Sequence, residues 1–154
     1  MAYTVNYDEL DYGDETRGEG VQTVGLPHDE ASDGVPVGAA VSFDGTKIVA
    51  ADENNPPIGV LYTYQFHGEN NAVRQDRNAT VLVAGKVKAQ VESDVAAGDM
   101  LDNANVATDG ETAGNLSNGG DQTSSFVALT DAQQQDNGNP NGAGGESYAE
   151  VLVR

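Results

Sequence analysis

The residues of this chain best suited to chemistry are few and far apart. Its two histidines, His28 and His67, each stand alone in a polar stretch, and there is no cysteine. A zinc site wants about four N, S or O ligands at close spacing, and neither histidine has a second His or Cys near it. Three acid pairs, Asp8-Glu9, Asp29-Glu30 and Asp52-Glu53, are of the type that could divide general acid and base work. With 25 Asp and Glu in 154 residues such pairs arise by chance, and all three flank loop-like segments, so a solvated surface is the better reading. No G-x-S-x-G elbow, P-loop or dinucleotide fingerprint is present. Asp102-Asn103-Ala104-Asn105 opens like a calcium loop but lacks the glycine and distal glutamate that an EF-hand needs. Asn78-Ala79-Thr80 and Asn115-Leu116-Ser117 match glycosylation acceptors, a frequent triplet with little weight. No catalytic residue, cofactor-binding residue or metal ligand is therefore assigned, and the chain is not expected to be an enzyme.

A different pattern opens the sequence. Tyr3, Tyr7 and Tyr12 are spaced among acids in residues 1–20, with no helical stripe and weak alternation. This reads as an extended arm ahead of one β domain over 21–154. A tyrosine ring covers a large area at small entropy cost, so three of them can anchor a polar arm to a partner. These three are the candidate binding residues.

Bulk composition narrows the classes further. A chain of this length can bury roughly 70% of its extended surface, enough for one core. Large apolar residues are scarce, with no Trp, three Phe and two Met, while there are 19 glycines. No run of about 18 apolar residues could span a membrane as a helix. Met1-Ala2-Tyr3-Thr4 has neither a basic start nor an apolar stretch, so a chain made and first used inside a cell is expected. Net charge is −18, with only three lysines, Lys47, Lys86 and Lys88. Such a surface repels nucleic acid and anionic membranes, so neither is an expected partner. It also suits molar salt, where a Debye length of about 3 Å screens self-repulsion.

The elements that must position the arm are strands. Ala39–Phe43 and Thr46–Ala50 flank Asp44-Gly45, which predicts a hairpin with a type I′ turn. Ile58 to Phe66 follows a loop at Asn54-Asn55-Pro56-Pro57, with Ile58, Val60, Tyr62, Tyr64 and Phe66 on one face. Thr80–Glu92 alternates most cleanly. Val81, Val83, Val87, Ala89 and Val91 face one way, and Lys86, Lys88, Gln90 and Glu92 face the other. Gly85 on the apolar side predicts a bend or bulge. Val81, Val83, Val87, Val91, Val60 and Tyr62 are expected in one core. Asp99–Leu101, Phe126–Leu129 and Tyr148–Val153 are shorter strands. Residues 67–78, 102–125 and 131–147 read as polar loops. Nothing keeps a period of 3.6 over three turns, so the fold class is all-β, a small barrel or sandwich with long polar loops.

Two stretches, about 35–92 and 95–154, share a grammar of Gly-led strand, loop, apolar strand, excursion and closing strand. Two such units could close into one barrel or sandwich and hide most strand edges.

The strand segments Val37-Gly38-Ala39-Ala40-Val41, Ile58-Gly59-Val60-Leu61, Val83-Ala84-Gly85-Lys86-Val87 and Val95-Ala96-Ala97-Gly98-Asp99-Met100-Leu101 carry a likeness. Over about residues 20–154 the chain resembles the capsid cement, or head decoration, proteins of tailed viruses. The resemblance implies a β-barrel domain assembled as homotrimers on the outer face of the virion. Its partner would be the major capsid protein, its arm would reach neighbouring subunits, and assembly would take place in the host cytoplasm. The acidity departs from ordinary phage members and suggests a virus of a halophilic archaeon. Loops 67–78 and 102–125 exceed the family's minimal form, so their role stays open. The alternatives are another virion β component, such as a turret, spike or tail protein, and a carbohydrate-binding β module. The second would want exposed aromatics at a cleft, and the lack of Trp argues against it.

Overall fold

The computed structural model describes residues 22–27, 35–64, 79–134 and 147–154. It has ten strands: β1 (Gln22–Leu26), β2 (Ala40–Phe43), β3 (Ile48–Ala50), β4 (Gly59–Tyr64), β5 (Ala79–Val91), β6 (Met100–Asn103), β7 (Leu116–Ser117), β8 (Phe126–Ala128), β9 (Gln133–Gln134) and β10 (Ser147–Val153). One helical turn, α1 (Val106–Asp109), lies between β6 and β7. The chain is all-β, as the alternation predicts.

Five strands close a barrel in the order β5-β7-β6-β8-β10 and back to β5. Every pairing in it is antiparallel except β5 with β7, which meet in parallel at Val91 and Leu116. The first half of β5 belongs instead to a second sheet, between β4 and β1, with β2 and β3 beyond β4. That sheet curls far enough for the Ile48 N–H of β3 to donate to the Pro27 carbonyl just past β1, at 2.9 Å.

β5 can serve both sheets because of Gly85. Up to Leu82 the even residue faces the barrel-side core and Val81 faces away; from Val87 on, the odd residues Val87, Ala89 and Val91 line the barrel. The parity switches around Gly85, whose φ of 121° is a conformation that side-chain-bearing residues avoid. The predicted bend is there, and its consequence overturns the single core expected from strict alternation. Val60, Val87 and Val91 are buried in one cluster, with Tyr62 packed on it; Val81 is buried in a second cluster, with Val83 against it.

The second cluster exists because the second sheet is buried on both faces. Ala40, Ala51, Val60 and Leu82 join the barrel residues Leu101, Leu116, Phe126 and Val151, while Val41, Ile48, Leu61 and Val81 pack on the opposite face with Val35 and Val37. β4 therefore buries Val60 and Leu61 in succession, and the one-face reading of this strand is corrected. Ile58, expected on that face, is 42% exposed. Phe66 and the Tyr64 side chain lie outside the described residues. Gly59 shows how tightly β4 meets β5: a Cβ there would run into the Leu82 carbonyl and come within 2.7 Å of Val81 Cγ1.

The hairpin between β2 and β3 forms, but with a wider connection than a two-residue turn. Phe43 pairs with Ile48, which leaves the four residues Asp44–Lys47 as the loop. Asp44 is the reason. Its Oδ1 accepts the Thr46 and Lys47 N–H groups and the Thr46 hydroxyl, each at 2.9 Å. The Thr46 N–H above all, then that of Lys47, holds the Asp44 carboxyl below its ordinary pKa. Stretches predicted as polar loop also hold short pairings. Leu116 of β7 is fully buried, and Gln133-Gln134 of β9 pair with Ser147 and Tyr148.

Candidate functional site

The candidate binding residues Tyr3, Tyr7 and Tyr12 lie outside the described residues, as do His28, His67 and the acid pairs Asp8-Glu9 and Asp29-Glu30. The first element that the structure describes is β1, which begins at Gln22. β1 pairs with β5 and with no other strand among the described residues. Gln22, its first residue, lies opposite Ala84, beside the bend where β5 passes from one sheet to the other. Gln22 to Gly25 are exposed and Leu26 is half-buried. Among the described residues β1 is thus an exposed edge strand of its sheet, the kind of edge that can take another strand.

Two apolar side chains of this sheet stand out. Val24, opposite Val81, and Phe43, two residues on from Val41, lie on the face of the second cluster, yet each is more than a third exposed. Ile58, Val106 and Leu129 are the other large apolar residues exposed among the described residues. A shallow cleft of about 260 Å³ between the β3–β4 loop and the barrel is lined by Pro57, Asp102, Asp121 and Phe126, among others. Asp121 accepts the Thr123 hydroxyl at 2.6 Å and its N–H at 2.8 Å, and these bonds, the hydroxyl first, lower its pKa. Asp102 accepts the N–H of Asn103. No group of three His, Cys, Asp or Glu that could hold a metal ion occurs among the described residues.

The acids have a use that sequence reasoning missed. Many are acceptors for loop backbone rather than free surface charges. Asp52 takes the Asn54 and Asn55 N–H groups, and Asp99 that of Ala96. Asp131 takes the N–H of Ala97 from across the barrel rim. Glu53 reaches from the β3–β4 loop to the Val106 and Ala107 N–H groups. The pair Asp52-Glu53 is therefore committed to two separate sets of backbone donors and does not converge on a common point. The only signal in sequence was the density of Asp ahead of Asn, Gly and Thr, the grammar of side-chain-capped turns.

Asn115 of the second glycosylation triplet is 7% exposed, and its Oδ1 is buried without a hydrogen-bond partner. A side chain so enclosed offers no room for a sugar in the folded domain. Asn78 lies outside the described residues. Gln90 and Tyr148, each 2% exposed, form a buried polar pair, Nε2 to Oη at 3.3 Å. Lys86 and Glu150 make a surface ion pair at 2.7 Å, of a kind worth about 0–1 kcal/mol.

A comparison with family models finds no match along this chain, and a comparison with curated proteins finds none either.

Proposed function

We propose that this chain is a structural virion protein that binds the outer surface of a capsid and stabilises it, in a virus of a halophilic host. The observation that carries the reading is the small closed barrel joined to a sheet whose strand β1 is an exposed edge, with an acidic, tyrosine-bearing segment ahead of it. In this reading the arm, through Tyr3, Tyr7 and Tyr12, grips the major capsid protein or a neighbouring copy. The domain assembles as a homotrimer, and no catalytic step is assigned to it. A thin core supports the reading, because a domain built mainly on Val and Ala gains stability from assembly. Many weak contacts repeated over a shell give avidity without a deep pocket.

The test is addition of the purified protein to undecorated shells of its source virus. Saturable binding at a fixed copy number, with new density on the outside of the shell, is expected. No binding, or density confined to a tail or vertex spike, would overturn the reading.

The halophilic part has its own measurement. Net charge of −18 acts against folding wherever it is unscreened. The β circular dichroism signal is expected to hold in molar salt and to decay towards about 0.05 M, where the Debye length exceeds 10 Å. A signal unchanged over that range would remove the adaptation to salt and leave the capsid role standing.

A further inference from the structure

The segment 104–112, between β6 and β7, is attached to the molecule in an unusual way. None of the residues of α1 is buried, and Val106 is among the exposed apolar residues. Its one fully buried side chain is that of Ala104. What holds it is a set of carboxylates. Glu53 Oε2 accepts the Val106 N–H at 3.0 Å and Glu53 Oε1 the Ala107 N–H at 2.9 Å. Glu92 Oε1, just past the end of β5, accepts the Thr112 N–H at 2.9 Å, and within the segment itself Glu111 Oε1 accepts that of Asn105 at the same distance. Glu53 belongs to the β3–β4 loop of the second sheet, so its two bonds join that sheet to a loop of the barrel.

We propose that residues 104–112 form an acid-released strap, which Glu53 pins across the junction of the two sheets and which lets go when that carboxylate is protonated. The charged residues on the three segments that meet here are all acids: Asp52 and Glu53, Glu92 and Asp94, Asp109 and Glu111. No basic side chain stands on these segments to offset the charge of the six acids, so their mutual repulsion is reduced by solvent and salt alone. Molar salt screens that repulsion beyond about 3 Å but leaves bonds made in direct contact, so the strap is held best in high salt near neutral pH. The sign in acid follows from Glu53. Its own backbone N–H, then those of Val106 and Ala107, hold its pKa below the ordinary 4.5. A lowered folded-state value means a hold fully present above 4.5 and lost as pH falls through the lowered value.

The experiment is amide hydrogen exchange by NMR on the full chain in molar salt, read as protection factors from about pH 7 to about pH 3, a range that spans carboxylate titration. Val106 and Ala107 are expected to lose protection several-fold while Val87 and Val151 in the barrel keep theirs. Glu53→Gln is expected to show that loss already at neutral pH and to abolish the pH step at both amides. If this variant loses barrel protection as well, Glu53→Asp, which keeps the charge but shortens the reach, is expected to retain a weaker step. Protection at Val106 and Ala107 that persists to about pH 3, that falls only together with the barrel, or that keeps its full pH step in Glu53→Gln would overturn the strap.

Discussion

Deletion of residues 2–14 is expected to leave the β barrel folded and to abolish attachment to undecorated shells. The described domain closes without those residues. The barrel runs from β5 to β10, and among the described residues both buried clusters are built from Leu26 onward. Ordering thirteen residues on a partner costs roughly 13–26 kcal/mol of backbone entropy. Three tyrosine rings bury roughly 450–750 Å². At about 25 cal/mol per Å² that returns roughly 11–19 kcal/mol. The two sums nearly cancel, so the arm binds only if all three rings are used and the backbone adds strand-like hydrogen bonds. Loss of the arm therefore removes the interaction rather than trimming it. Co-sedimentation of the truncated protein with shells, beside its circular dichroism, reads both halves of the expectation. Full occupancy without the arm would sink its binding role. Loss of the β signal in the free protein would assign the arm to the domain instead.

The second large effect is on the core. Leu101→Ala is expected to cost about 3–5 kcal/mol, the upper part of the range for a fully enclosed leucine. Leu101 is 0% exposed, on β6, among Leu116, Phe126, Val87 and Val151. Its neighbours are held by ladders on either side, through Asn103 to Leu116 and through Leu101 to Phe126, so the walls cannot collapse into the space left behind. A domain of this size has about 5–15 kcal/mol of stability in all. In this core the remaining large side chains are few, so the variant should sit near the edge of folding in the absence of a shell. Ile58→Ala, at a residue 42% exposed, should by contrast stay within about 0.5 kcal/mol of the parent. Urea midpoints at constant salt measure both, with slopes unchanged if the native state is intact. A Leu101→Ala loss below about 1 kcal/mol would mean that the barrel is not closed around it.

Much of the architecture can be read from local pattern. The alternation from Thr80 to Glu92 marks the strand that organises the molecule, and Gly85 marks where it bends. The absence of a helical period points to the class, and among the described residues the turn Val106–Asp109 is the one exception. These are properties of neighbouring residues, and a period of two or a φ of 121° needs no distant partner to be favoured. The acid-rich turns are local in the same sense, since Asp44, Asp52 and Asp121 bond donors two or three residues away.

What pattern does not contain is which surface each face meets. Strict alternation placed Val81 with Val87, but the switch at Gly85 puts them in different clusters, because β4 and β1 flank one half of β5 while β7 and β10 flank the other. Leu116 sits in an Asn- and Gly-rich stretch with no strand signature, yet it is fully buried, because β6 and the end of β5 supply its partners from far along the chain. β1, five residues without a pattern of their own, is a strand because β5 is there to pair with. Glu53 looks like half of a surface acid pair until folding brings Val106 and Ala107, more than fifty residues away, within hydrogen-bond reach. By itself the sequence determined an acidic, all-β chain, its longest strand and the bend in it. Tertiary structure alone decided the barrel's closure, the second core, the exposed edge at β1 and the partners of the distant acids, because each depends on contacts between residues that chain neighbours do not specify.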